Sequence, residues 1–294
     1  MFRGSMVALA TPMDAEGDVD YECLTRLVDY HLANKTDGLI VAGTTGESGT
    51  LTHEEHHHMV QYVVREVAGR IPVVAGTGAT ATSVAIKLTQ TAMEAGADAC
   101  LINAPPYVKP TQEGLFRHYK AISEAVAIPL ILYNVPSRTA CDILPETVAR
   151  LADFPNIVGI KEATGKLQRL LDLRSLCDGK LDIYSGDDAT ACQFMLNGAK
   201  GVISVTANIA PRLMHDMVAA IFAGNEVLAE EINAKLNGLH QKLFVESNPI
   251  PLKWAMMKMG LISSGIRLPL TPLTEKYYPE VLAAMEQAGI VFNQ

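Results

Sequence analysis

Lys161 sits in a setting that packing alone explains poorly. It closes the run Val158-Gly159-Ile160-Lys161, and a buried ammonium is costly unless it is paired. Desolvation lowers the pKa of an amine, and a neutral amine can attack a carbonyl carbon to form an imine. A lysine snorkelling at the rim of a core is the competing reading, and this run by itself leaves both open. Other reactive side chains stand just after similar apolar runs. Gly43-Thr44-Thr45-Gly46-Glu47-Ser48 combines permissive backbone, N–H groups and hydroxyls. It suits a small carboxylate or phosphate, or serves as an ordinary turn and helix cap. Pro105-Pro106-Tyr107 and Tyr133-Asn134-Val135-Pro136-Ser137-Arg138 supply two tyrosines and an arginine that can grip a carboxylate through two parallel hydrogen bonds. In Ser185-Gly186-Asp187-Asp188, the glycine allows a ligand close to the backbone, and Asp187 can equally cap a helix. Ile203-Ser204-Val205 follows the last run.

The elements that must position these groups repeat at a spacing of roughly thirty residues, the period of a βα unit. The apolar runs are Met6–Ala10, Gly38–Ala42, Ile71–Ala75, Ala99–Ile102, Pro129–Tyr133, Ile157–Ile160, Leu181–Tyr184 and Gly201–Val205. They are continuous rather than alternating, which predicts strands covered on both faces. Between them lie helical patterns, such as Tyr21, Leu24, Leu27, Val28, His31 and Leu32 on one face, and Thr52-x-x-Glu55 forms a capping box. Eight strands alternating with helices predict a TIM (β/α)₈ barrel of the α/β class, whose site lies at the C-terminal ends of the strands. Residues 1–224 form the expected barrel domain. Residues 225–294 form a helical extension, with helices over Glu226–Lys242, Pro251–Met259 and Glu275–Ala288 after Leu213–Ala223.

Two motifs point elsewhere. Gly76-Thr77-Gly78-Ala79-Thr80-Ala81 has the G-x-G-x-x-A pattern of a dinucleotide turn in an open doubly wound sheet, but it follows the third run rather than the first. His53-Glu54-Glu55-His56-His57 matches H-E-x-x-H of zinc proteases, yet no third ligand stands out, and a solvated helix start with acidic residues near the dipole explains it. No metal is expected.

Composition narrows the function classes. Of 294 residues, 49% are hydrophobic, which excludes a disordered chain. The formal charge of −8, from 24 basic and 32 acidic residues, argues against a nucleic-acid footprint. Five scattered cysteines without a C-x-x-C pair predict neither disulfides nor a zinc ribbon and fit a reducing cytoplasm. The stretch Met6–Ala10 is too short for a signal sequence or a membrane span. A soluble cytoplasmic protein is the expectation.

Taken together, Gly43-Thr44-Thr45-Gly46-Glu47, Tyr133-Asn134-Val135-Pro136 and Gly159-Ile160-Lys161-Glu162 resemble the pyruvate-dependent class I aldolase superfamily of N-acetylneuraminate lyase, and within it the dihydrodipicolinate synthase family. The resemblance runs from Gly4-Ser5-Met6-Val7 through Pro249-Ile250-Pro251 to Leu268-Pro269-Leu270. It implies a lyase that condenses pyruvate with L-aspartate 4-semialdehyde to (4S)-4-hydroxy-2,3,4,5-tetrahydrodipicolinate on the diaminopimelate route to lysine. No cofactor is implied, because the covalent imine forms on Lys161 itself. Tyr133, Thr44 and Tyr107 would relay protons, with the tyrosine matching Tyr107 reaching into a neighbouring subunit's site. Thr44 and Thr45 would hold the pyruvate carboxylate and Arg138 the carboxylate of the second substrate; Gly186, Asp187 and Ile203 would line the pocket. The sugar-acid lyases of the superfamily lack the arginine and remain the alternative, as does a catalytically silent barrel that only binds a ligand or partner. A homotetramer, as a dimer of dimers, is implied too.

One departure concerns feedback. Ser48, His53 and His56 match a lysine-binding regulatory site, but the sensitive pattern carries Asn, Glu and an aromatic residue where this sequence has Thr80, Val84 and Pro106. Replacing the carboxylate by Val84 removes a charge-assisted partner of the lysine ammonium, worth on the order of 1–3 kcal/mol. We expect weak or absent inhibition by L-lysine in a steady-state assay; half-inhibition at sub-millimolar lysine would contradict this.

Overall fold

A computed structural model of the chain describes residues 2–292. It is a closed barrel of eight parallel strands in chain order, with β8 pairing back to β1 through Gly4↔Gly201 to Val7↔Ser204. The first half comprises β1 (Gly4–Ala8), α1 (Tyr21–Ala33), β2 (Gly38–Val41), α2 (His53–Val67), β3 (Val73–Gly76), α3 (Thr82–Glu94), β4 (Ala99–Asn103) and α4 (Gln112–Ala125). The second half comprises β5 (Leu130–Asn134), the single turn α5 (Pro136–Thr139), α6 (Pro145–Leu151), β6 (Ile157–Glu162), α7 (Leu167–Cys177), β7 (Asp182–Ser185), α8 (Ala191–Leu196) and β8 (Gly201–Ser204). Then come α9 (Pro211–Phe222), α10 (Glu226–Lys242), α11 (Ile250–Lys258) and α12 (Tyr278–Gln287).

All eight expected strands form, and closure of the sheet overturns the doubly wound alternative. The glycines of its apparent dinucleotide motif serve packing instead. A Cβ on Gly76 would stand 2.3 Å from the Ala42 carbonyl oxygen, and one on Gly78 would stand 2.1 Å from Asn103 Oδ1. Strand β6 runs two residues beyond the expected Ile160, because pairing with β5 continues through Tyr133↔Lys161 and Asn134↔Glu162. Lys161 is thus a strand residue, held by a ladder on both sides, and not a loop residue at the rim. The expected helix over Glu275–Ala288 begins as a 3₁₀ turn at Glu275–Tyr277, and Pro279, whose fixed φ suits a first helical turn, starts α12 proper. Residues 293 and 294 of the expected extension lie outside the described residues.

Strand side chains alternate between two apolar layers. Met6, Ile40, Val74, Leu101, Ile131, Tyr184 and Ile203 fill the barrel interior. Val7, Leu39, Cys100, Leu132 and Ile160 face the helices, in one cluster that also takes in Leu236, Leu239 and Met285 of α10 and α12. Burying both layers explains why the strand runs read as continuously apolar. Among the described residues no helix is long and apolar enough to cross a membrane.

Candidate active site

Adjacent residues in a parallel ladder point to the same face, so the pairing Tyr133↔Lys161 sets both side chains inward at the C-terminal mouth of the barrel. The Lys161 ammonium nitrogen lies 4.4 Å from the centre of the Tyr133 ring. Lys161 is only 5% exposed. Burial pushes its amine down to about 8, opposed by the Asp188 carboxylate and reinforced by the Arg138 guanidinium. Asp188 is itself buried and accepts hydrogen bonds from the Val205 and Thr206 N–H groups, both at 2.9 Å. Burial pushes the Tyr133 phenol up, opposed by Arg138 and by its hydrogen bond with Thr44. The phenol therefore stays protonated at neutral pH, ready to donate.

A cavity of about 190 Å³ surrounds these groups. Thr44, Thr45, Tyr133, Arg138, Lys161, Gly186 and Asp187 line it, so seven of the expected site residues converge from five βα loops or strands. Room for the lysine is set by Gly186, where a Cβ would meet Lys161 Cε and Cγ at 2.9 Å. Thr45 is buried, and its Oγ1 accepts a hydrogen bond from Asn248 Nδ2 at 3.0 Å. The Asn248 carbonyl accepts one from Arg138 at 3.2 Å. Asp187 lines the cavity while its carboxylate caps the turn Asp188–Thr190, accepting from the Thr190 N–H at 3.1 Å and its hydroxyl at 2.7 Å. Both readings of that residue hold at once.

Two expected residues lie elsewhere. Ile203 packs in the barrel interior below the cavity, and Val205, two residues on, lines it instead. Ile203 lies within β8, whereas Val205 follows the strand as the cap of the turn Thr206–Asn208, with φ −83° and ψ −44°, and stands at the mouth. Tyr107 is 90% exposed with φ +75° and lines no part of the cavity. Sequence reasoning missed Asn248, Asp188 and Phe244. Asn248 and Phe244 come from the C-terminal extension, where no strand-end rule points, and the carboxylate of Asp188 acts on Lys161 only through the fold.

A second cavity, of about 590 Å³, shares Thr44, Val135, Arg138 and Asn248 with the first. Ser48, His53, His56, Val84 and Pro106 line it together, and Thr80 bonds to the Pro106 carbonyl at 3.4 Å. Five of the six residues singled out for regulation thus line one cavity. His56 is buried and gives its Nε2 to the Gly76 carbonyl at 2.7 Å, so that nitrogen is committed to backbone. Among the described residues no three His, Cys, Asp or Glu are grouped as a metal would require.

The model of the dihydrodipicolinate synthetase family matches residues 1–288. The chain belongs to that family. It is 60% identical over 291 residues to the 4-hydroxy-tetrahydrodipicolinate synthase of Methylococcus capsulatus, covering 99% of this chain and 100% of that protein. Identity to the enzyme of the same name from Thioalkalivibrio sulfidiphilus is 58% over 293 residues, covering 100% of each. The crystal structure of the chloride-inhibited dihydrodipicolinate synthase from Acinetobacter baumannii, complexed with pyruvate, superposes with a TM-score of 0.98 at 52% identity, over 99% of this chain and 100% of that one. Membership of the dihydrodipicolinate synthetase family makes this TIM barrel a lyase.

The depressed Lys161 pKa has a measurable consequence. Below about 8 the amine is protonated and cannot attack. The rate of adduct formation with pyruvate, trapped by borohydride, is expected to fall about tenfold per pH unit there and to level off above. A profile flat down to pH 6 would show that the amine is not the titrating nucleophile.

Proposed function

We propose that the chain condenses pyruvate with L-aspartate 4-semialdehyde through an imine on Lys161, as a 4-hydroxy-tetrahydrodipicolinate synthase of the route to lysine. The observation that carries this reading is a buried lysine with a lowered pKa beside a protonated phenol, in a cavity that also holds an arginine. The neutral amine adds to C2 of pyruvate, and loss of water with uptake of one proton leaves a protonated imine. That nitrogen is an electron sink, so the pyruvate methyl loses a proton and becomes an enamine nucleophile. Its carbon attacks the aldehyde of the second substrate. The amino group of that substrate then displaces Lys161 from C2, which closes the ring and frees the enzyme. The covalent steps balance with substrate and lysine alone, and the reading needs no cofactor.

Thr44 and Thr45 hold the pyruvate carboxylate through backbone N–H and hydroxyl donors, and Arg138 holds the carboxylate of the semialdehyde. Tyr133, bonded to Thr44, moves protons at the reacting centre. Tyr107 completes the relay from a neighbouring subunit of a homotetramer. Its exposure, its positive φ and its absence from the lining of its own cavity support that placement. Five buried cysteines, all free, support a reducing cytoplasmic location. Residues 1–224 are the catalytic barrel and 225–294 its extension.

Borohydride with pyruvate is expected to leave a stable adduct on Lys161, found by peptide mass spectrometry. Arg138→Ala is expected to raise the KM for aspartate semialdehyde by roughly tenfold to a hundredfold with adduct formation preserved. Turnover only with sugar acids would overturn the choice of substrate. For the relay, mixed oligomers of Lys161→Ala and Tyr107→Phe chains should regain activity above the sum of the two, because one chain supplies lysine and the other tyrosine. Strictly additive activity would place Tyr107 outside its neighbour's site.

A further inference from the structure

The chain buries two lysines to the same extent, Lys161 and Lys253, and the mechanism uses one. Lys253 lies on α11, outside the barrel strands, and its ammonium meets the Glu47 carboxylate at 2.5 Å. The side chains of this pair are 5% and 0% exposed. Glu47 closes the Gly43–Ser48 loop, in which it has φ 57° and ψ 35°. That region disfavours any side chain with a Cβ, and glycine would occupy it without strain. A glutamate there must earn its place through its carboxylate.

The loop is built around that residue. The Glu47 N–H donates to the Thr44 carbonyl at 3.1 Å, and its own carbonyl accepts from the Thr50 N–H and hydroxyl at 2.9 and 3.0 Å. On the barrel side, the Thr11 hydroxyl holds the Gly46 carbonyl at 2.7 Å. On the other side, the extension reaches in with Lys253 on Glu47 Oε1, the Arg267 N–H on Glu47 Oε2 at 3.3 Å, and Asn248 on the Thr45 hydroxyl. Lys253 is therefore the charged anchor of a loop whose Thr44 and Thr45 face the substrate cavity.

We propose that Lys253 is a positioning residue for pyruvate, acting through Glu47 to fix the Thr44–Thr45 loop in its carboxylate-binding geometry. The inference rests on the reading that this loop holds the pyruvate carboxylate. Removing Lys253 leaves the Glu47 carboxylate buried without its counter-ion, and the loop must move to hydrate it. The neutral pair Glu47→Gln with Lys253→Met avoids that charge but still loses the anchor.

The test is steady-state kinetics with both substrates, alongside thermal unfolding, on Lys253→Met, the double variant Glu47→Gln/Lys253→Met, and Glu47→Gln. Lys253→Met and the double variant are expected to raise the pyruvate KM at least roughly tenfold, with kcat and the semialdehyde KM within about threefold. Glu47→Gln keeps an acceptor for the ammonium and should raise the pyruvate KM by less, about threefold. Should Lys253→Met not fold, the double variant carries the same comparison. A pyruvate KM within about twofold of the parent in a folded variant lacking Lys253 would overturn the proposal. So would an equal rise in both KM values, which marks a structural fastening only. Thr45→Val separates the two levels of inference. If it too leaves the pyruvate KM unchanged, the reading of the loop fails; if it raises that KM while Lys253→Met does not, the positioning role alone fails.

Discussion

An ammonium group taken out of water with no carboxylate in contact is destabilised relative to its neutral amine. At Lys161 the barrel imposes that condition, and the arrangement around it follows. Among the described residues no acidic oxygen comes within 4.0 Å of its nitrogen. The aromatic face of Tyr133 gives the cation a weaker partner than a carboxylate would. Asp188 acts from farther away, and two backbone N–H groups already engage one of its oxygens. Arg138 pushes in the opposite direction. The balance leaves an amine at about 8, with a neutral fraction close to neutrality that the proposed imine chemistry would use.

Lys253 shows what happens when one element of that balance changes. It is as buried as Lys161, but a carboxylate contacts it directly. Burial pushes its amine down and Glu47 pulls it back. Burial alone does not suit a lysine to nucleophilic attack; burial without a contacting counter-ion, beside an open cavity, does. The same chain contains both cases about 90 residues apart in sequence, with the ion-paired lysine holding the Glu47 loop.

The Gly43–Ser48 loop lies between Lys161 and the extension. Thr44 lines both cavities, Thr45 faces the smaller one, and Glu47 and Ser48 face the larger. Arg267 adds an external brace, with a fork on Glu55 and a bond to the Thr50 carbonyl at 2.9 Å. That fork holds the Glu55 carboxylate down at about 2 and ties the capping box of α2 to the C-terminal segment. The helices after the barrel thus complete one side of the mouth, where a bare barrel would leave the loop to solvent.

The sequence by itself determined the barrel, because strands buried on both faces must be continuously apolar and must recur at the length of a βα unit. It also placed most of the candidate site, because a strand end is a fixed address in this fold: Lys161, Tyr133, Thr44 and Arg138 could be set around one mouth from the sequence. Only the tertiary structure decided what depends on distance between segments remote in the chain. Ile203 lies within β8 and Val205 just beyond its end, and only the second reaches the mouth. Asn248 and Lys253 carry no local signal, since their partners Thr45 and Glu47 lie 203 and 206 residues away. The charge state of Lys161 was undecided for the same reason: its pKa is set by which groups surround it and which are kept away, and that is a property of packing.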